Sequence, residues 1–483
     1  MITGTICSPN TTNFVGTGMN LLRKGEAQWL LRLRQFFASP WCLALQFALG
    51  ALALICHLEL AGMAVFLLLF TVQMVLCDDV LTPFAPALLA CLIMIKASEN
   101  PAFRSTDNAL YNQFLPFWWL VFLPVGALAA HFALYRRPFV WGKAGWAILA
   151  VSAATTLGGV GAIGAKEYFA GGALYHTALL GFGMLLVYIW LSSAVAEDKD
   201  GRLERFVADM MLTLGLLASF MVLHLYLSRL PMLIKRPQII EFQWRNNVST
   251  FLMLALPFPF FKAFKKPAWL LTGLVMYLAM LLSSSRGGML FGTIELAMCV
   301  LFLLLADKNK KRRWAYLGAV ALVIVAIVLS LPLWGPFLWP TIYRLLQSVL
   351  NSDQEIRMQL YRRAVRDFLA HPVFGVGIGW MGNRDIHPSK QFALCWYHNA
   401  PLQIIGSMGL VGAAAYLYQY IVRVRIFLRR PATKFRLTLF IAWVGLELMS
   451  LVNPGVFAPL PYLLILTVLV VVAEKTEKTA PHL

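Results

Sequence analysis

The chain has 483 residues, of which 60% are hydrophobic and only 13% are charged, whereas soluble proteins average roughly 45–50% and 25%. About 14 apolar segments of about 20 residues, the length that crosses a bilayer core, would account for this apolar fraction. The mean hydropathy of +0.71 agrees with that estimate. The composition therefore excludes a soluble globular enzyme with a single anchor and predicts a polytopic membrane protein.

Long apolar runs follow one another along the whole chain. They cover residues 41–57, 60–76, 80–95, 114–134, 143–164, 172–195, 205–228, 246–261, 268–284, 287–306, 315–334, 399–422, 435–451 and 457–473. Alternating β-barrel patterning is absent, and a helix satisfies each backbone polar group within its own segment. The predicted fold is therefore all-α, a polytopic transmembrane helical bundle of about 12–14 spans.

Positive charge is concentrated in the loops between these runs. The chain has 41 Lys and Arg against 22 Asp and Glu, a formal net charge of +19. Basic clusters such as 308–313 and 423–436 fall on alternate loops, which the positive-inside rule places in the cytoplasm together with both termini. This topology explains most of the excess, so nucleic acid is not expected as a partner. The basic residues on the outer face indicate either solvated loop charge or an anionic ligand, and for the cluster as a whole we favour the ligand.

The largest loop on the outer face is predicted at residues 335–398. Ser352 followed by Glu355 is a capping-box pattern, and apolar residues then repeat at helical spacing, so 352–370 is predicted to be a basic amphipathic helix on the membrane surface. The apolar face comprises Met358, Tyr361, Val365 and Phe368 or Leu369, and the polar face carries Arg362, Arg363 and Arg366. A shorter helix is expected at 341–350. His371-Pro372 would end the longer helix, and the glycines at 375, 377 and 379 would form a turn.

His398 precedes Asn399 at the point where this loop re-enters the membrane. A histidine at an interface can act as a general base. The alternative is an interfacial imidazole held by a backbone carbonyl. Nearby arginine charges would favour its neutral, basic form.

Two arginines begin apolar runs on the outer face. Arg286 lies in the short turn Ser283–Gly288, near membrane depth, where an arginine is costly without a partner. A guanidinium at a helix N-terminus suits a phosphate group, although snorkelling to the interface is the alternative. The same reasoning applies to Arg245, and Lys235 and Arg236 lie just before it.

Cysteine and histidine patterns indicate no metal site and no other cofactor. The 7 cysteines form neither a CxxC pair nor a recognisable disulfide framework. No HExxH pattern is present. Zinc and iron–sulfur chemistry are therefore not expected.

Together these motifs resemble the O-antigen ligase / O-antigen polymerase superfamily. The resemblance rests on Ser285-Arg286-Gly287, Arg357-x-x-x-Tyr361, Asp367-x-x-x-His371-Pro372-x-x-Gly375-Val376-Gly377-x-Gly379, His398-Asn399-x-x-Leu402-Gln403 and Gly409-Leu410-x-Gly412. By motif it covers about residues 240–420. One departure is Ser407-Met408, where many members carry an acidic residue before the Gly-Leu pair, so an acid–base role is unsupported there.

The resemblance implies a GT-C-like fold and a metal-independent glycosyltransferase of the bacterial inner membrane, with its active site facing the periplasm. The donor would be a glycan linked to undecaprenyl diphosphate, the acceptor lipid A–core, and membrane lipids would surround both. The family's essential histidine maps onto His398 and its essential arginines onto Arg286 and Arg245. We expect substrate binding by the remaining candidates, which are Lys235, Arg236, Arg357, Arg363, Tyr397 and Asn399.

Within this family we favour an O-antigen ligase that acts by direct, inverting displacement. An O-antigen polymerase or a protein O-oligosaccharyltransferase is the alternative. A lipid-linked glycan transporter or flippase is the alternative from another class, but it would place charges at mid-membrane. The expected domains are a cytoplasmic segment 1–40, transmembrane helices at 41–334 and 399–473, a periplasmic loop 335–398 between them, and a cytoplasmic tail 474–483.

Overall fold

The computed structural model describes residues 28–97, 122–162, 177–198, 200–235, 240, 242, 244–350, 356–378, 397–429, 432–453, 455–457 and 459–476. Within these ranges the chain forms α-helices and no β-strand. The helices are α1 (Gln28–Phe37), α2 (Pro40–Ile55), α3 (Glu59–Leu76), α4 (Leu81–Ala97), α5 (Phe122–Leu134), α6 (Gly145–Leu157), α7 (Met184–Ala194), α8 (Arg202–Ser228), α9 (Leu230–Lys235), α10 (Arg245–Ala255), α11 (Pro257–Ala263), α12 (Trp269–Leu282), α13 (Arg286–Ala306), α14 (Lys310–Leu350), α15 (Ile356–Ala370), α16 (Ala400–Leu428), α17 (Lys434–Ser450) and α18 (Leu464–Lys475). Arg236, Gly379 and the Ser352–Glu355 capping pattern lie outside the described residues.

The predicted all-α architecture is confirmed, since the described part of every predicted apolar run carries helix. Among the described residues, five segments are long and apolar enough to cross a membrane, namely Glu59–Leu76, Gly145–Ala162, Arg202–Ser228, Arg286–Ala306 and Ala400–Leu428. The α1–α2 pair, bent by 60°, is a sixth candidate. Several shorter apolar helices accompany them. The total of 12–14 spans stays a prediction.

Helix α8 lies at the centre of the bundle. Its most apolar stretch is 78% buried, whereas that of α3 is only 22% buried. It packs against α2, α10 and α12. Outer helices instead expose large apolar side chains such as Leu68 and Leu329, which suits contact with lipid.

A second packing centre is α17, which contacts α10, α13 and α16. The residues that follow α17 lie beside the N-termini of α13 and α16, and the N-terminus of α10 is hydrogen-bonded to the turn before α13. The candidate residues Arg245, Arg286 and Asn399 stand at or beside those N-termini. We call this end of the bundle the site end.

The segment predicted to form the outer loop differs from the expectation in two respects. Helix α14 continues without a break to Leu350 over 41 residues, so 341–350 is its last part and not a separate short helix. Helix α15 ends at Ala370 before His371-Pro372, as predicted.

The second difference concerns the faces of α15. Its buried stripe consists of Leu360, Ala364 and Asp367, whereas Val365 and Leu369 are 43% and 69% exposed. The reason is that α15 packs against α16 along a stripe that includes a charged residue, which apolar periodicity does not detect. The exposed apolar side chains remain available for a lipid surface.

Candidate functional site

The N-termini of α10 and α13 are joined by the polar turn that precedes α13. The Ser285 hydroxyl donates to Asn246 Oδ1 at 2.8 Å and accepts from the Gly288 N–H at 3.1 Å, which caps α13. The hydroxyls of Ser249 and Ser283 lie 2.7 Å apart. Short polar side chains on both helices therefore hold the two helix N-termini against each other.

This arrangement brings together the two predicted catalytic arginines, Arg245 and Arg286, which are the first residues of α10 and α13. The two guanidinium groups lie close enough for Arg286 to act on the charge of Arg245 by repulsion. Both stand at helix N-termini, whose N–H groups and dipoles also favour negative charge. The site end is thus electrostatically suited to an anion with more than one negative charge.

The backbone of the turn before α13 is strained. Ser284 has a φ of 58°, a left-handed conformation that is uncommon for residues other than glycine. It is only 5% exposed, and its hydroxyl has no hydrogen-bond partner within the described residues. Strain of this kind persists where the surroundings enforce it, and it clusters at functional sites.

The C-terminus of α17 connects this arginine pair to the histidine. A Cβ on Gly287 would come within 2.5 Å of Val452 Cγ2, so α13 approaches the end of α17 at van der Waals distance. One residue earlier, the Leu451 carbonyl accepts a hydrogen bond from Asn399 Nδ2 at 3.1 Å. The structure therefore places His398–Asn399 at the same end of the bundle as the predicted arginines.

Asn399 has a structural role in addition to this contact. Its Oδ1 accepts from the Leu402 N–H at 3.0 Å and caps α16. His398, just before the cap, is partly exposed and has a φ of 53°. The cap and the strained backbone hold the imidazole at the start of α16, on the rim of the bundle.

Tyr397 anchors the histidine segment to α15. Its hydroxyl donates to Asp367 Oδ2 at 2.6 Å, and Arg363 Nε lies 2.8 Å from Asp367 Oδ1. Tyr397 is 1% exposed, and its N–H donates to Gln403 Oε1 at 2.9 Å. Tyr397 and Arg363, which we predicted to bind substrate, are therefore engaged in holding α15 beside His398.

Asp367 belongs to the sequence motif but was not among the predicted site residues. Burial raises the pKa of its carboxyl, while the Tyr397 hydrogen bond and the Arg363 charge oppose that shift. A carboxylate next to a buried tyrosine is difficult to recognise from sequence because the two residues are 30 positions apart. Asp367 is the residue through which α15 positions the segment that carries His398.

The pH dependence of stability should report this network. Because the folded-state pKa of Asp367 lies above the unfolded value, the stability from its carboxyl is fully present at low pH and is lost as the pH rises through the folded pKa. Arg363→Gln removes a charge that holds this pKa down. The variant should therefore be destabilised more at about pH 7 than at about pH 4, as measured by tryptophan fluorescence on heating. The double variant Arg363→Gln/Asp367→Asn should lose the extra pH dependence, and equal destabilisation at both pH values would contradict this assignment.

The glycine motif of residues 375–377 completes a break in α16. Gly409 interrupts α16 with φ 61° and ψ −153°. The carbonyls of Gly406 and Ser407 then accept from the N–H groups of Val376 and Gly377 at 3.0 and 2.9 Å. Beyond the break, the N–H groups of Leu410 and Val411 donate to the carbonyls of Pro372 and Val373 at 2.8 and 3.1 Å. The loop 372–377 thus satisfies the backbone groups that the break frees, as a non-helical backbone within a membrane bundle requires.

Ser407 stands where many family members carry an acidic residue. Its side chain accepts from Gln403 Nε2 at 2.8 Å, and it is 1% exposed. Together with its carbonyl bond to Gly377, these contacts make Ser407 part of the docking of loop 372–377. No acid–base chemistry is supported at this position.

Gly375→Ala should be strongly destabilising. Gly375 has a φ of +67°, and a Cβ there would lie 2.3 Å from the Ser407 carbonyl carbon, so strain and a backbone clash combine. We expect a loss of at least about 3 kcal/mol. The matched control is Gly201→Ala, with a φ of +65° and nothing within 4 Å of the new Cβ, which should cost only about 1 kcal/mol. The reaction of buried cysteines such as Cys42 and Cys299 with a maleimide dye on heating measures the unfolding of both variants. Equal shifts of the unfolding temperature in the two variants would refute the clash.

The remaining predicted binding residues are less closely tied to the site. Lys235 ends α9 with its side chain exposed, and Arg357 is half-buried in the first turn of α15. Lys96 was missed. Its Nζ lies 6.0 Å from the ring centroid of Trp244, next to Arg245, and its position at the outer end of an apolar run was the available signal. Within the described residues, no three His, Cys, Asp or Glu side chains are grouped to hold a metal ion.

Comparison with known proteins assigns the matched region to a family. Residues 271–417 match the family described as O-antigen ligase. This segment runs from α12 into α16, so it includes Arg286, α15 and His398 but not Arg245. A search of curated proteins found no match. Members of the matched family are glycosyltransferase-like enzymes, ligases and polymerases. The chain is therefore a helical membrane protein in which residues 271–417 are similar to the O-antigen ligase family.

Proposed function

We propose that this protein is an O-antigen ligase. It transfers a glycan from undecaprenyl diphosphate to a sugar hydroxyl of lipid A–core, by metal-independent, inverting displacement, in lipopolysaccharide biosynthesis. The observation that carries the proposal is the convergence of Arg245, Arg286 and His398 on one end of the bundle, joined through the C-terminus of α17.

The arginine pair supports the donor side of this reaction. When the glycosidic bond of the donor breaks, negative charge builds on the diphosphate leaving group. Donors preorganised around that charge lower the barrier, and the loss of one typically costs about 2.7–4 kcal/mol. Arg245 and Arg286, held on adjacent helix N-termini, are suited to this work because the ligand charge would relieve their mutual repulsion.

His398 supports the acceptor side. A sugar hydroxyl becomes a better nucleophile as its proton is removed, and a neutral imidazole can accept that proton. The bond that forms joins the acceptor oxygen to the anomeric carbon, and the bond that breaks joins that carbon to the diphosphate oxygen. The fixed segment Tyr397–Asn399 orients the imidazole at the rim, where an acceptor lipid can approach along the membrane surface.

The topology that accompanies this proposal places the site end in the periplasm. The protein would be a multi-pass protein of the bacterial inner membrane with both termini in the cytoplasm. Basic residues at the opposite end, such as Arg312, Arg313 and Arg425, support this orientation through the positive-inside rule. An orientation assay with a reporter fused after Lys475 should give cytoplasmic activity.

Transfer between purified components tests the proposal. The full chain in proteoliposomes, given undecaprenyl-diphosphate glycan and lipid A–core without an energy source, should yield glycosylated lipid A–core. Movement of the donor without covalent product would instead indicate a transporter. In cells, a deletion strain should lose attached O-antigen and accumulate lipid-linked polymer. Single-repeat caps in that strain would indicate a polymerase, and unchanged lipopolysaccharide with loss of glycoprotein would indicate a protein O-oligosaccharyltransferase.

A further inference from the structure

A second charged site lies at the opposite end of the bundle. A cavity of about 230 Å³ opens between the last turns of α16, the start of α17, Lys143 shortly before α6 and the end of α18. Its basic lining comprises Lys143, Arg425, Arg429 and Arg436, and its acidic lining is Glu474. Beyond its break at Gly409, helix α16 rises a further roughly 24 Å, at 1.5 Å per residue, before it reaches Arg425, so the cavity is distinct from the site end.

The single carboxylate of the cavity is already engaged. Glu474 accepts hydrogen bonds from the N–H groups of Lys143 and Ala144 at 3.2 and 3.0 Å, and from the Tyr188 hydroxyl at 2.8 Å. These donors direct its charge toward the N-terminus of α6. Among the described lining residues one acidic side chain faces four basic ones, so the cavity carries a net positive charge.

Arg436 is a buried cation built into the wall. It is 2% exposed, and its guanidinium donates to the carbonyl of Arg429 at 3.2 Å and to that of Ile426. These bonds satisfy the carbonyls at the C-terminus of α16. Its Nε is buried without a hydrogen-bond partner within the described residues. A buried charge with an unused donor is costly unless it is paired. An anion bound at this donor would offset that cost.

Arg425 and Arg429 extend the positive charge to the surface. Both are exposed, Arg425 in the last turn of α16 and Arg429 at the residue that follows the helix, and two like charges this close in the chain repel each other. A bound anion between them would remove that cost. The wall also contains Val422, Ile426 and Ala473, so a ligand there meets apolar side chains next to the cations.

We propose that this cavity binds the phosphate-bearing headgroup of an anionic membrane lipid. The phosphate would lie among Arg425, Arg429 and Arg436, and the glycerol and first acyl carbons would follow Val422 and Ile426. Basic pockets between helix ends at a membrane surface bind such headgroups. The site is independent of glycan transfer, and its role would be to fix the ends of α6, α16, α17 and α18 against one another.

Lipid binding to the purified full chain tests this proposal. Native mass spectrometry from neutral detergent micelles, with added phosphatidylglycerol or phosphatidylcholine, should show tighter binding of phosphatidylglycerol. Arg425→Gln/Arg429→Gln should weaken that binding about tenfold. The control Lys310→Gln/Lys311→Gln removes the same charge from exposed residues at the start of α14, and should change the binding less than about twofold.

The outcomes of this experiment distinguish a lipid headgroup from a soluble anion as the source of the phosphate. Binding of inorganic phosphate that depends on Arg425 and Arg429, without preference between the two lipids, would support the phosphate site and assign it to a soluble anion. Equal weakening by both double variants would reduce the effect to general surface charge and overturn the proposal. Equal binding of the two lipids with no effect of inorganic phosphate would also overturn it. Thermal unfolding of each variant without lipid confirms that the comparison is made between folded proteins.

Discussion

Replacing His398 with glutamine is expected to abolish nearly all glycan transfer while leaving the protein folded. A positioned general base contributes about 10²- to 10⁴-fold to a rate, so kcat should fall by that factor in the reconstituted assay. Glutamine keeps a polar side chain of similar reach but cannot accept and hold the proton. Because the imidazole lies partly exposed on the rim, its loss leaves no cavity in the core.

The matched control for this change is His57→Gln. His57 is an exposed histidine with a φ of 55°, close to the 53° of His398. Both substitutions therefore place glutamine on a left-handed backbone, and any cost of that strain appears in both. Transfer should be unchanged in the His57 variant. If His398→Gln retains transfer within about threefold of the wild type, a general base at this position is refuted.

A further measurement distinguishes catalysis from positioning. His398→Gly leaves space at the start of α16, and added imidazole should restore part of its transfer rate. The variant Tyr397→Phe, by contrast, keeps the imidazole but removes its link to Asp367. Imidazole should have no effect on that variant, since its base is present but poorly placed.

Local sequence patterns were sufficient to predict the helices and the residues at their ends. Apolar runs identify helices because the backbone must be satisfied within each segment, and Arg245, Arg286 and Asn399 could be recognised because they begin such runs. Their meeting at one end follows from the alternation of helix direction. The contacts that hold them together could not be predicted, since they join Ser285 to Asn246 and Asn399 to Leu451 across distant parts of the chain.

The glycine motif shows a different limit. A turn was predicted at Gly375 and Gly377, and the turn exists. The turn supplies hydrogen bonds to the backbone groups that are freed by the break of α16 at Gly409. The spacing of apolar residues does not predict this break, because the residues on both sides of it remain helical. The motif's two halves, 371–377 and 409–412, are therefore one structural unit, and the hydrogen bonds between them hold the end of α15 at a fixed position relative to α16.

Replacing Arg286 with alanine is expected to lower activity without lowering stability. Loss of one preorganised donor to a developing oxyanion typically costs about 10²- to 10³-fold in kcat. The same change removes a positive charge that acts on Arg245 by repulsion, so the melting temperature should change little. Arg286→Lys should recover only part of the rate, because an ammonium lacks the planar fork that binds two phosphate oxygens.

The control for charge and helix position is Arg202→Ala. Like Arg286, Arg202 is the first residue of a long helix, but it is exposed at the opposite end of the bundle and lies 3.8 Å from Asp200. Glycan transfer should be unaffected in the Arg202→Ala variant. A parallel fall of activity and melting temperature in Arg286→Ala would make the arginine a structural residue. Loss of rate with retained stability is the result expected of a cation that acts on a charged ligand and is not needed for the fold.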